Sequence, residues 1–114
     1  MATSTIPYTP ADNGNLTPAS GITAERARFN RSGRVVVIGL TFTVGAAISD
    51  TTGILFAGAP PAAVHTRTFL SQYNSQNGVH IRVEIDQSGN VRNAYTQGGI
   101  PAGNYEGELV YISA

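Results

Sequence analysis

The 114 residues carry seven arginines, no lysine, seven carboxylates, no cysteine and no tryptophan. That length makes one domain with a core of its own, and the missing cysteines exclude disulfides, zinc–thiolate sites and thiol catalysis. Charged residues are 12% of the chain, about half the usual globular share. Without a basic cluster, nucleic acid is not an expected partner; without an apolar run of about 18 residues or a leader pattern, neither membrane insertion nor a signal peptide is expected.

Residues 1–21 are rich in Thr, Pro, Asn and Gly, with isolated apolar residues at Ile6, Tyr8 and Leu16. Pro7, Pro10 and Pro18 forbid a helix and discourage a central strand. The stretch reads as an extended arm or linker, with at most one edge strand around Ile6–Thr9, and residues 22–114 as the folded domain. Ile22–Phe29 alternates loosely and runs into Asn30-Arg31-Ser32-Gly33, a hairpin signal. Arg34–Val44 is the strongest strand. Val36, Ile38, Leu40, Phe42 and Val44 share one face at period two; the other face carries Val35 and Val37, then Thr41 and Thr43. The pattern predicts a first half covered on both sides and a second half facing water or a neighbouring chain. Gly39 marks a bulge or a close approach by another group.

Gly53–Ala57 reads as a short buried strand, closed by Gly58-Ala59-Pro60-Pro61. Val64–Tyr73 places His65, Arg67 and Phe69 on one face, with Thr66, Thr68 and Leu70 on the other. Asn74–Gly78 is a turn cluster. Val79–Asp86 alternates cleanly: Val79, Ile81, Val83 and Ile85 face a core, and His80, Arg82, Glu84 and Asp86 do not. The Asp86–Asn90 turn leads into a strand over Val91–Tyr95. Ile100–Gly103 is a further turn, and Tyr105–Ile112 the last strand, with Glu106 and Glu108 on its polar face. Ala46-Ala47-Ile48 offers one helical turn, and no segment carries a 3.6-residue apolar repeat. Seven or eight short strands between turns predict an all-β fold, an antiparallel sandwich or jelly-roll-like barrel.

Little of this is catalytic. His65 and His80 are the only histidines; with no cysteine and no carboxylate at ligand spacing, they read as ordinary strand histidines, and no metal or other cofactor is expected. Glu84 with Asp86, and Glu106 with Glu108, stand about 7 Å apart on strand faces, a separation that glycosidase carboxylates can use. Such pairs are equally ordinary on exposed strands, and neither a nucleophile elbow nor a phosphate loop accompanies them. An enzyme is not expected.

A binding surface remains. Tyr73-Asn74-Ser75-Gln76-Asn77 gathers an aromatic ring and several amides at one turn. If the flanking strands pair through it, His65, Arg67, His80 and Arg82 lie alongside. Aromatic and planar polar side chains in a cleft suit a saccharide, so His65, Arg67, Tyr73, Asn74, Gln76, His80 and Arg82 are the candidate saccharide-binding residues. Tyr95 and Gln97 form a weaker second candidate. Ordinary hairpin decoration is the plain alternative.

Several pieces recur in a recognisable order: Gly-Arg-Val-Val (Gly33–Val36), Leu-Thr-Phe-Thr (Leu40–Thr43), Gly-Ala-Pro-Pro (Gly58–Pro61), the Val79–Val91 hairpin and Ile100–Ile112. From about Arg34 to the end, this order resembles the C-terminal head module of phage receptor-binding and baseplate proteins, best known from phages of Gram-positive bacteria. The resemblance implies a barrel or jelly-roll head that works on the virion, outside the cell, as a homotrimer. Its implied partners are host cell-wall saccharide and other tail or baseplate proteins. A trimer also has a physical motive, because the second apolar face at Val35 and Val37 needs a cover and closed rotational symmetry supplies one. The alternative is a structural virion or tail component, a decoration, collar or baseplate protein, that uses the same β-fold for assembly only.

Overall fold

The computed structural model describes residues 12–49, 53–73, 79–94 and 99–114. Among these residues there is no helix, hence none long and apolar enough to cross a membrane. The strands are β1 (Asp12–Asn15), β2 (Thr17–Pro18), β3 (Ile22–Ser32), β4 (Val35–Val44), β5 (Ile54–Ala57), β6 (Thr66–Gln72), β7 (His80–Ile85), β8 (Val91–Asn93) and β9 (Gly103–Ile112). They form one sheet in the order β1-β3-β4-β9-β6-β7-β8-β5-β2, and every pairing is antiparallel.

β1 and β2 stand at opposite ends of that order, yet only Leu16 separates them. β1 pairs with β3 while β2 pairs with β5, so one short run of chain spans both sheet edges and rolls the sheet into a nearly closed barrel. Closure removes the exposed edges that an open sheet would present. Nine strands replace the expected seven or eight. The extra ones are short and made of Asp-Asn-Gly-Asn and Thr-Pro, residues with poor strand propensity; tertiary pairing imposes their conformation. Within the stretch read as arm, residues 12–18 thus carry strands, with Leu16 buried and its amide donating to the Ala27 carbonyl at 2.7 Å. Residues 1–11 lie outside the described part.

The barrel interior takes the expected faces. Val36, Ile38, Leu40, Phe42 and Val44 from β4 meet Leu70, Ile81, Val83, Ile85, Tyr105, Leu109 and Tyr111, all buried. Phe42 packs edge-on against Phe56 with ring centroids 5.1 Å apart, a favoured aromatic geometry. Tyr105 Oη donates to the Pro101 carbonyl at 2.6 Å, and Tyr111 Oη to the Pro60 carbonyl at 2.7 Å. Both buried phenols therefore have partners, as burial demands. Burial raises the pKa of each above the ordinary tyrosine value, which keeps both protonated as donors.

Four local expectations shift. The loose alternation of β3 comes from a bulge between Ala24 and Arg26, and the strand continues to Ser32. Its turn is the two-residue Gly33-Arg34, with Gly33 at φ 61°, a backbone state that glycine enters without strain. β5 is bulged between Ile54 and Phe56, so the adjacent Leu55 and Phe56 are both buried while Ile54 is exposed. Ala46–Ile48 makes no helical turn; Ile48 forms a β-bridge with Ile100. Asp86 is buried rather than outward, because its carboxylate folds back over its own turn. It accepts from the amides of Ser88 and Asn90 at 2.8 and 2.9 Å and from Arg92 Nε at 2.7 Å. Burial works to raise the Asp86 pKa, but the Arg92 bond and the two amides outweigh it and hold the carboxyl below its usual value.

Candidate functional site

The outward side chains of β6 and β7 form the surface that the sequence pointed to. β6 pairs with β7 in the register Arg67↔Glu84, Phe69↔Arg82 and Ser71↔His80. Leu70, Ile81, Val83 and Ile85 turn inward to the core, so the period of two sends these six side chains outward together. Facing residues on adjacent strands lie about 5 Å apart at Cβ, close enough to act as one patch.

Each polar member is positioned. Arg67 Nε lies 3.2 Å from Glu84 Oε2, and His65 Nδ1, just before β6, lies 3.8 Å from the same oxygen. Arg82 donates through Nε and Nη2 to the Ala94 carbonyl at 3.2 and 3.1 Å. That bidentate grip fixes the plane of its guanidinium. Ser71 Oγ and His80 Nδ1 share a hydrogen bond of 3.2 Å. Tyr73 continues from β6, half-buried, with its amide bonded to the Asn104 carbonyl at 3.0 Å. The structure thus brings His65, Arg67, His80 and Arg82 onto one face, with Tyr73 at its end. Asn74, Gln76, Tyr95 and Gln97 lie outside the described residues.

Phe69 lies on this face, as its alternation with His65 and Arg67 predicts, although it is not among the expected binding residues. It is 66% exposed and stands between Arg67 and Ser71 on β6, opposite Arg82. A bare phenyl ring ringed by guanidinium, imidazole, hydroxyl and carboxylate groups suits a ligand with one apolar face and a hydroxylated rim. Among the described residues no three His, Asp or Glu side chains are placed to hold a metal ion.

Two further surfaces adjoin the patch. At one end, a cleft of about 550 Å³ opens between Ile48, Val79, Ile81, Ile100 and Pro101, with His80 at its margin. On the other side, a groove of about 390 Å³ runs over Arg26, Gly39, Thr41, Ser71, Glu106 and Glu108. Beyond that groove, β4 and β9 turn an apolar pair of rows outward. Val35 faces Ile112 and Val37 faces Val110, with Val35, Val110 and Ile112 exposed by 47, 57 and 47%. The first half of β4 is therefore not covered on its second face within this chain, contrary to the expectation from its sequence.

Gly39 produces no bulge, since β4 keeps an unbroken register with β9 and with β3 across it. It serves close approach instead: the Arg26 guanidinium lies over it, about 3.0 Å from where a Cβ would stand.

The class defined by these features is a small antiparallel barrel, closed through its N-terminal strands and carrying an amphipathic patch on one wall. No protein-family model and no curated protein sequence matches the chain. Among solved structures it is similar to the crystal structure of the receptor binding protein (gp15) of Listeria phage PSA, with a TM-score of 0.62 and 18% identity over 94% of this chain and 67% of that one. At that identity the likeness establishes a shared fold.

Proposed function

We propose that this chain is a phage receptor-binding protein, a tail or baseplate head that docks on host cell-surface saccharide as a homotrimer. The observation that carries the reading is the exposed Phe69 ring among Arg67, Arg82, His80 and Ser71. Pyranose rings present an apolar C–H face to an aromatic plate and offer hydroxyls to planar polar side chains, and this patch supplies both. The fold shared with a phage receptor binding protein supports the same role. It acts by binding, without turnover, and neither nucleic acid nor a bilayer takes part.

The trimer finds its motive in the outward rows Val35–Ile112 and Val37–Val110. A contiguous exposed aliphatic surface of this kind is what a subunit interface covers, and three copies set around a rotation axis close it off. The same rows favour a second reading, a tail or collar component that uses its apolar face for assembly alone. Two measurements separate them. Sedimentation equilibrium at micromolar concentration should report a trimer, and a monomer overturns the assembly. Purified wall polysaccharides from Gram-positive bacteria, arrayed on a surface, should retain the protein. A trimer that binds none of them leaves only the assembly role.

A further inference from the structure

We infer that the saccharide contact is an extended track across five strands, built to hold an internal stretch of a linear, uncharged polysaccharide rather than a terminal sugar. This rests on the saccharide reading above and goes beyond it. The register aligns Arg26 with Thr41, Thr41 with Glu106, Glu106 with Ser71 and Ser71 with His80. All five side chains lie on the outer wall, one on each of β3, β4, β9, β6 and β7. Four strand spacings make the row about 19 Å long, room for about four pyranose rings if each ring takes roughly one spacing.

The row follows the floor of the groove over Arg26, Thr41, Ser71, Glu106 and Glu108. Gly39 leaves room for the Arg26 guanidinium to lie across that floor. Ser71 joins the two surfaces, since it lines the groove and also bonds His80 beside Phe69. The track therefore has an aromatic plate beside its β6–β7 end, two residues along β6 from Ser71, and a run of hydrogen-bonding groups leading away from it.

Charge selects the occupant. Among the described residues, Arg26, Glu106 and Glu108 make no ion pair with any side chain. Two carboxylates against one guanidinium make the groove net negative, and with Arg67, Arg82 and Glu84 of the patch the whole track carries three charges of each sign, so no positive surplus draws a polyanion such as a poly(glycerol phosphate) chain. Unpaired carboxylates accept from sugar hydroxyls and the guanidinium donates to them. A neutral glycan satisfies every group.

The test uses the full chain, labelled with ¹⁵N. It is titrated with size fractions of one to six sugars cut from purified Gram-positive wall polysaccharides, and separately with poly(glycerol phosphate). Affinity should climb up to about four sugars, and the amides of residues 26, 39, 41, 106 and 108 should shift only with the longer fractions. Arg26→Ala and Glu108→Gln, both at exposed positions, should weaken the longer fractions by about tenfold and leave single sugars unchanged. Phe69→Ala should weaken every length. If affinity is complete at one sugar and only residues near Phe69 shift, the track is wrong while the saccharide reading survives. Tighter binding of poly(glycerol phosphate) also overturns the track. No binding of any fraction overturns both.

Discussion

Replacing Phe69 by Ala tests the saccharide reading most directly, because the structure separates its effect on binding from its effect on folding. A phenylalanine side chain presents about 150–200 Å². With Phe69 66% exposed, roughly 100–130 Å² of that faces solvent. A pyranose ring covering half of it removes about 60 Å² of apolar surface from water, worth about 1.5 kcal/mol, or tenfold in Kd. The part already covered by the barrel is about 60 Å², and its loss costs about 1.5 kcal/mol, a fall of about 6 °C in Tm for a chain of this size. Calorimetric titration with a retained oligosaccharide, beside a thermal melt, reads both quantities. Phe69→Tyr keeps the flat ring and should bind as the parent does, while Phe69→Leu keeps apolar area without the plate and should resemble the alanine variant. Equal binding by parent and alanine variant would refute the reasoning.

Asp86→Asn keeps an acceptor for the two turn amides but loses the charge that holds Arg92. Since the folded pKa of Asp86 is depressed, its contribution is present above the unfolded value near 4 and disappears as pH falls through the lower folded one. Melts should show the variant less stable by about 1–2 kcal/mol at pH 7, with the gap closing below about pH 4; a gap independent of pH contradicts the assignment. Gly89→Ala, at φ 82° with its new Cβ 2.2 Å from the Ala59 carbonyl oxygen, should cost at least about 3 kcal/mol. Gly33→Asn, at φ 61° with open space around it, should cost under about 1 kcal/mol, so denaturant midpoints should separate the two widely. Val110→Asp places a charge on the outward apolar row and should convert the proposed trimer to a folded monomer in sedimentation, with an unchanged circular dichroism spectrum.

Strands with a strict period of two were legible from sequence. β4, β7 and β9 present the expected inner faces because alternation and burial are the same fact for a sheet with one core side. What failed to show was anything set by long-range pairing. Asp12–Asn15 and Thr17–Pro18 carry no strand signal, and only the β3 and β5 edges that they join make them strands. The bulge after Ala24 hid the true length of β3, since one extra residue swaps the faces of the residues beyond it. At the site, His65, Arg67, His80 and Arg82 could be gathered because two strands flank one turn. The groove beside them could not, for it combines Arg26 with Glu106 and Ser71, which are far apart in sequence and meet only through the order β3-β4-β9-β6. The outward aliphatic residues of β9, Val110 and Ile112, were visible in the sequence, but their partnership with Val35 and Val37 needed the register.

That register also explains how one wall can serve two tasks. Along β4 the outward residues run Val35, Val37, Gly39, Thr41, Thr43, and along β9 they run Ile112, Val110, Glu108, Glu106, Asn104. The face changes from aliphatic to polar at the Gly39–Glu108 pair, with the Arg26 guanidinium lying over that glycine. Successive outward residues are about 7 Å apart, so Thr41 stands about 14 Å from Val37 along the strand, and the groove's near end at Gly39 and Glu108 lies one step from the aliphatic rows. In the proposed trimer this sets three grooves beside the interface and holds them at fixed separation. On the proposed reading, a single shallow groove with a phenylalanine plate would bind weakly, and three of them on one repetitive polymer would act together, with a gain of up to about 10²–10⁴ when the spacing matches. The Val110→Asp monomer should therefore hold short oligosaccharides as well as the parent does and lose most of its grip on intact wall polysaccharide, a split that a purely structural role for the patch would not produce.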